Sequence, residues 1–269
     1  AGARPFIPEW AKGVTYHTNE DVMRLDELPK SMTIVGGGFI AMEFAHVFDA
    51  LGTDVTIISR SPLLRPLDED LRDPFNEIAT QRYTTHIGRT VASATENGGQ
   101  VTLTLDDDTQ VTSDALLIAT GRIPNSDTLN VAAGGIETHD DGRVKVDEFG
   151  RTTAEGVWSL GDLSSPYQLK HVANAEMRAV THNVLATWRG NGALVPMPHD
   201  HVPSAIFTHP QIATVGLTEQ QAVEAGHDVT VKVQNYGDVA YGWALEDSTG
   251  LVKLIADRTT GKLLGAHYM

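Results

Sequence analysis

The sequence predicts an α/β fold of three layers that passes into an α+β region after Pro203. Three observations predict it: an apolar run that meets a glycine cluster at residues 33–43, continuous apolar runs at residues 55–58 and 115–121, and strand-like stretches around one short helix beyond Pro203. Continuous apolar runs mark strands covered on both faces, because a half-exposed strand would alternate.

Residues up to about 29 read as a short arm with two Pro-bearing turns. Residues 33–43 then read as strand, tight turn and helix. Gly36 permits the turn, Gly38 lets backbone approach a phosphate, and Ala41 is small enough for the helix to pack on the strand. The phosphate would lie on unpaired N–H groups where the helix opens at Phe39 and Ile40. This makes the unit Rossmann-like. The helix of residues 39–51 carries Ile40, Phe44, Val47, Phe48 and Leu51 on one face, and Gly52 stops it. The strand at 55–58 delivers Ser59 and Arg60 a little over 20 residues past Gly36, where an acid would favour NAD. No acid stands there. Arg60 and Arg65 supply cations suited to a 2′-phosphate, so NADPH is the preferred reading over a solvated loop face.

Residues 68–82 read as a helix, and 101–105 pair with 110–112 as a hairpin across Asp106, Asp107 and Asp108. The buried strand 115–121 runs through Gly121 into Arg122, Ile123, Pro124 and Asn125. Another segment begins at Val144. Residues 156–162 read as a strand that delivers Asp162 at its carboxyl end, where ligand groups gather in open α/β sheets. Asp162 taken alone reads as an ordinary turn aspartate. Residues 174–188 have helical spacing in Met177, Val180, Val184 and Trp188, closed by Gly190, Asn191 and Gly192. After a linker with Pro196, Pro198 and Pro203 come strands at 205–207, 229–233, 251–255 and 262–267, with a helix at 219–225.

Composition excludes several classes. The 35 acidic and 20 basic residues give a formal net charge of −15, which disfavours nucleic acid and anionic membrane surfaces. There is no cysteine, hence no disulfide, thiolate metal site or thiol nucleophile in these residues. His199, His201 and His209 lie close together, but an i, i+2 pair in a Pro-rich loop lacks ligand spacing, so no metal is expected. A cytoplasmic enzyme is the default reading.

The turn at Thr120, Gly121, Arg122, Pro124 and Asn125, taken with Gly161 and Asp162 about 40 residues on, resembles the second half of an FAD site. With the glycine turn and the segment from Pro203 to Thr218, the whole chain resembles the pyridine nucleotide disulfide oxidoreductases, which include glutathione reductase, lipoamide dehydrogenase and mercuric reductase. The resemblance implies an NADPH domain (29–146) inserted in an FAD domain (1–28 and 147–197), then an incomplete α+β dimerisation domain (198–269). It implies that Gly36, Gly37, Gly38 and Ile40 cradle the NADPH pyrophosphate, that Phe39 covers the flavin face, and that Glu43 contacts the nicotinamide. On spacing alone Glu43 reads equally as an exposed first-turn glutamate. Gly121, Arg122 and Asp162 would belong to the FAD site, with backbone near Leu169, Lys170, His171 and Ala173 at the flavin's pyrimidine edge. A homodimer and a small-molecule disulfide substrate are also implied. Hydride would pass from NADPH to FAD and electrons to a cysteine pair expected upstream of Ala1, with a His-Pro pair expected downstream of Met269. Readings left open are a different reductase of the group, an oxygen- or ferredoxin-linked flavoprotein, and a non-catalytic nucleotide-binding and dimerisation module.

Overall fold

The computed structural model describes residues 2–269. They form two compact units: residues up to Phe6 with Arg122–Val202, and Ile7–Gly121 with Pro203–Met269. The first strand, β1 (Ala3–Pro5), belongs to the former.

In the larger unit, β2 (Ser31–Val35), α1 (Phe39–Ala50), β3 (Asp54–Ser59), α2 (Glu69–Arg82) and β4 (Thr84–Ile87) build successive parallel pairs. Next come β5 (Val91–Asn97), β6 (Gln100–Leu105), β7 (Gln110–Ser113) and β8 (Ala115–Ile118). The parallel sheet has the order β4-β3-β2-β8, and β5-β6-β7 form a separate antiparallel sheet. The latter corrects the expected hairpin, which gains a third strand in β5. Three layers result. Met32, Ile34, Val55 and Ile57 pack on Ala41, Met42, Ala45, Leu71 and Phe75 of the helices, while Val35, Ile58, Leu116 and Ile118 face Val101, Leu103 and Leu105. Cover on both faces is why these strands read as unbroken apolar runs.

His17 bridges Leu117 and extends the edge of the parallel sheet, so residues 7–28 lie with the nucleotide sheet. Arg122–Pro124 forms β9, antiparallel to β1, so residues 122–146 lie with the smaller unit. By contact, the chain divides at 6/7, 121/122 and 202/203.

The smaller unit is built on α3 (Lys170–Arg189), whose C-terminus is closed by Gly190 in the left-handed region at φ 66°. Buried Asn183 ties this helix to the loops: its amide donates to Phe149 O and Val195 O and accepts from Val195 N. The strand expected at 156–162 is not a ladder strand. Among the described residues its pairing is a single bridge, Arg151 to Trp158, because no neighbouring strand runs beside it.

Beyond Pro203, β10 (Ser204–Ile206), β11 (Ile212–Gly216), α4 (Glu219–Glu224), β12 (Val229–Asn235), α5 (Ala240–Ala244), β13 (Leu251–Asp257) and β14 (Leu263–Tyr268) complete the larger unit. The strands make an antiparallel sheet in the order β10-β11-β14-β13-β12. Two short helices accompany it rather than the one expected.

A buried ion cluster joins this sheet to α2. The Lys253 ammonium, fully buried on β13, donates to Asp68 at 2.8 Å and Asp70 at 2.6 Å and lies 2.7 Å from Glu219. Asp68 is itself 1% exposed; it caps α2 and accepts the Glu219 N–H at 2.9 Å. Burial pushes the Lys253 pKa down, but hydrogen bonds to the three carboxylates outweigh it and hold the group well above its ordinary value. Burial likewise opposes ionisation of Asp68, and the Glu219 N–H and Lys253 overcome it and hold the carboxyl below its usual range.

The depressed Asp68 pKa contributes stability that is complete above the unfolded value of about 4 and lost as pH falls through the folded one. The raised Lys253 pKa contributes stability that is complete below about 10.4 and lost only at higher pH. Replacing Lys253 by Met strands a buried carboxylate, so thermal unfolding at pH 7 should show a loss of about 3–5 kcal/mol. That gap should narrow as pH falls below about 4. A loss under about 1 kcal/mol would place the cluster among ordinary surface pairs and contradict this reading.

Candidate functional site

The carboxyl ends of β2, β3 and β8 converge on Gly36. Its N–H donates to Ile58 O at 2.9 Å, and Ala119 N–H donates to Val35 O at 2.8 Å beside it. Gly36 has φ 142°, and a Cβ on it would lie 2.2 Å from Ala119 O. No other residue fits there. Gly37 is glycine for a different neighbour, since its Cβ would lie 2.3 Å from Ser59 Oγ. Gly38 has open space, with nothing within 4 Å of a Cβ. The packing reason ends at Gly37, and the third glycine borders open space.

Gly38 is the N-cap of α1 and no side chain caps the helix. The first intrahelical bond runs from Met42 N to Gly38 O, so the opening turn at Phe39 and Ile40 offers N–H groups without intrahelical acceptors. An oxyanion suits that end of the helix dipole. Phe39 stands at its mouth with 42% exposure. Leu64 N–H donates to Gly37 O at 2.7 Å, and Asn76 holds Leu63 through both its N–H and its carbonyl. These bonds seat the loop after β3 against the glycine turn. Arg60 and Arg65, both exposed on that loop, make no ion pair among the described residues and leave two cations uncompensated there. The donor set fits a dinucleotide with a 2′-phosphate.

Glu43 lies one turn into α1, and its Oε1 accepts the Phe207 N–H at 3.0 Å. The sequence carried no sign of that bond, which spans 164 positions. His46, further along α1, is held below the usual imidazole range, first by burial and then by Arg82 and His209, with Asp49 opposing.

The second group of residues lies in the smaller unit. Arg122, which follows Gly121, donates from Nη1 to Asp162 Oδ2 at 2.8 Å and from Nη2 to Ala3 O at 3.0 Å. Its Nε is buried without a partner, a donor that a bound polar group would satisfy. Gly161 turns at φ 68° and presents Asp162 beside the N-terminus of α3. Leu169 is the N-cap of α3, again without a side-chain cap. Ala173 N–H is committed to Leu169 O at 3.0 Å, so Ala173 offers no free amide; Lys170 and the exposed His171 open the helix. The acceptor, the cation and the uncapped helix start fit a polyol joined to a ring with anionic character.

Sequence reasoning missed Glu176. It is fully buried in the α3 stripe formed with Val172, Ala179, Val180 and Asn183, and a carboxylate at that helical spacing was the available signal.

Comparison with known proteins decides the family. Residues 1–179 match the family described as pyridine nucleotide-disulphide oxidoreductase. The chain belongs to that family. Residues 202–269 match the family's dimerisation domain. Among curated relatives, mycothione reductase of Mycobacterium tuberculosis is 53% identical over the whole chain, which spans 59% of that protein. Glutathione reductase of Burkholderia cepacia is 32% identical over 99% of the chain and 59% of its own length. Among solved structures, the HOCl-induced flavoprotein disulfide reductase RclA of Escherichia coli superposes with TM-score 0.86 at 29% identity, over 99% of this chain and 61% of that one. The chain thus spans about three fifths of these family members. Among the described residues no helix is long and apolar enough to cross a membrane, and no three His, Asp or Glu side chains are grouped to hold a metal.

The glycines separate by consequence. Gly36→Ala should cost about 2–5 kcal/mol in thermal unfolding, from its positive φ and the clash with Ala119. Gly38→Ala should leave stability within about 0.5 kcal/mol and weaken dinucleotide binding about 10-fold in a fluorescence titration. Equal effects at both positions would contradict the division.

Proposed function

We propose that this chain supplies the NADPH site, the returning part of the FAD site and the first part of the pairing domain of a flavoprotein disulfide reductase. Its substrate is mycothione disulfide. The observation that carries the reading is the uncapped opening of α1 over Gly38, flanked by the unpaired Arg60 and Arg65. The 53% identity to mycothione reductase, against 32–36% to mercuric, glutathione and lipoyl enzymes of the family, favours that substrate.

In this reading Gly36, Gly37, Gly38 and Ile40 hold the pyrophosphate on backbone, and Arg60 and Arg65 hold the 2′-phosphate. Phe39, exposed at the opening of α1, and Glu43, one turn further in, would lie toward the nicotinamide end of the dinucleotide. Arg122 and Asp162 hold the flavin's polyol chain, and the start of α3 at Leu169, Lys170 and His171 stabilises negative charge on the pyrimidine edge. NADPH supplies a hydride and FAD accepts it; the protein's part is to bind, orient and exclude water. The chain has no cysteine, so the thiols that exchange with a disulfide are supplied from outside it. Homodimerisation through the domain after Val202 is supported by the family match and by the exposure of Phe207, Tyr241, Trp243 and Leu245.

Turnover by the full-length protein tests the substrate. Mycothione disulfide should be reduced with NADPH far faster than glutathione disulfide, and activity confined to glutathione disulfide would sink the proposal. Replacing Arg60 or Arg65 by Ala should raise the KM for NADPH about 10- to 100-fold and leave NADH nearly unaffected. Equal losses with both nucleotides would remove the 2′-phosphate role.

A further inference from the structure

We propose that Glu176, with His199 behind it, is the positioning residue that fixes the Asp162 turn for the flavin. This inference rests on the flavin reading above. Glu176 is fully buried, and a buried carboxylate is retained only where its oxygens are satisfied. Both oxygens are engaged. Oε2 accepts the Gly161 N–H at 2.6 Å, and Oε1 faces His199 Nε2 at 2.5 Å. An ionised carboxylate only accepts, so the imidazole N–H donates. His199 is about one third exposed and lies edge-on to Tyr167, with ring centroids 5.3 Å apart.

The bond to Gly161 matters because, among the described residues, no sheet ladder holds the side that leads into the turn; on the far side Val144 N–H donates to Leu163 O at 2.9 Å. The segment leading to Asp162 has one bridge, Arg151 to Trp158, made by the bonds from Ser159 N to Gly150 O and from Thr152 N to Val157 O. Beyond Ser159 no sheet ladder fixes it among the described residues. Gly161 O accepts the amides of Ser164 and Ser165, so the far side of the turn is tied locally. Its near side is tied to Glu176. The near side of the turn that presents Asp162 to Arg122 therefore depends on a carboxylate that touches no ligand itself, while Arg122 is anchored separately on Ala3 O.

The test compares Glu176→Gln, Glu176→Leu and His199→Phe in the full-length protein as purified. Flavin retention is read by visible absorbance, and hydrogen exchange is read over residues 159–163. Gln keeps an acceptor for the Gly161 N–H and should retain flavin within a few-fold of the parent. Leu should weaken flavin binding about 10- to 100-fold and accelerate exchange at Gly161. NADPH affinity, which belongs to the other unit, should stay unchanged, and unchanged exchange over the rest of α3 reports that the smaller unit is folded. If the Leu variant does not fold, His199→Phe decides: it keeps the ring against Tyr167, removes the donor and should also lower retention. Unchanged flavin retention and exchange in the Leu variant, or in His199→Phe where Leu does not fold, would overturn the proposal. So would a Gln variant as impaired as Leu. A parent protein that holds no flavin at all would overturn the flavin reading, and this inference with it.

Discussion

Everything at the candidate nucleotide site depends on the absence of one carbon atom at Gly36. The carbonyl of Ala119 occupies the place a Cβ would need, and the φ of 142° is open to glycine alone. That close approach lets β2 end between β3 and β8, at the point where a doubly wound sheet leaves a crevice at its carboxyl edge. It also fixes where α1 begins. Because α1 begins there without a side-chain cap, its first N–H groups stay open to a ligand. The arginines after β3 gain meaning from the same geometry, since the Leu64 to Gly37 bond brings their loop to the turn.

Local signals were legible and long-range ones were not. The glycine turn, α1, β3, β8 and α3 follow from periodicity and turn chemistry within a window of 20 residues or so. β4 and β5 escaped because their side chains are mostly polar and at least partly exposed, so neither alternation nor a continuous run marks them. The segment at 156–162 erred the other way: its apolar residues look like a strand, but a strand is made by partners, and these residues find one bridge. The Lys253 cluster spans 185 positions to Asp68, and the Glu43 bond spans 164 to Phe207. No pattern in one sequence pairs residues so far apart.

The two candidate sites share one design. In each, a helix starts without a side-chain cap, a glycine turn sets the approach, and charged side chains stand beside it: Arg60 and Arg65 in one, Arg122 with Asp162 in the other. Backbone amides carry no net charge and cost nothing to reorganise, so they hold anionic groups without committing a buried cation. The charges are then free to discriminate between ligands. This suits a chain whose own net charge is −15, where general electrostatic attraction would repel a dinucleotide and only local donors can hold it.

The most direct measurement is a crystal structure of this chain with NADPH bound. The account predicts the pyrophosphate about 3 Å from the N–H groups at Phe39 and Ile40, with the 2′-phosphate on Arg60 and Arg65. A dinucleotide bound away from the opening of α1, or one whose 2′-phosphate points into solvent clear of both arginines, would contradict it.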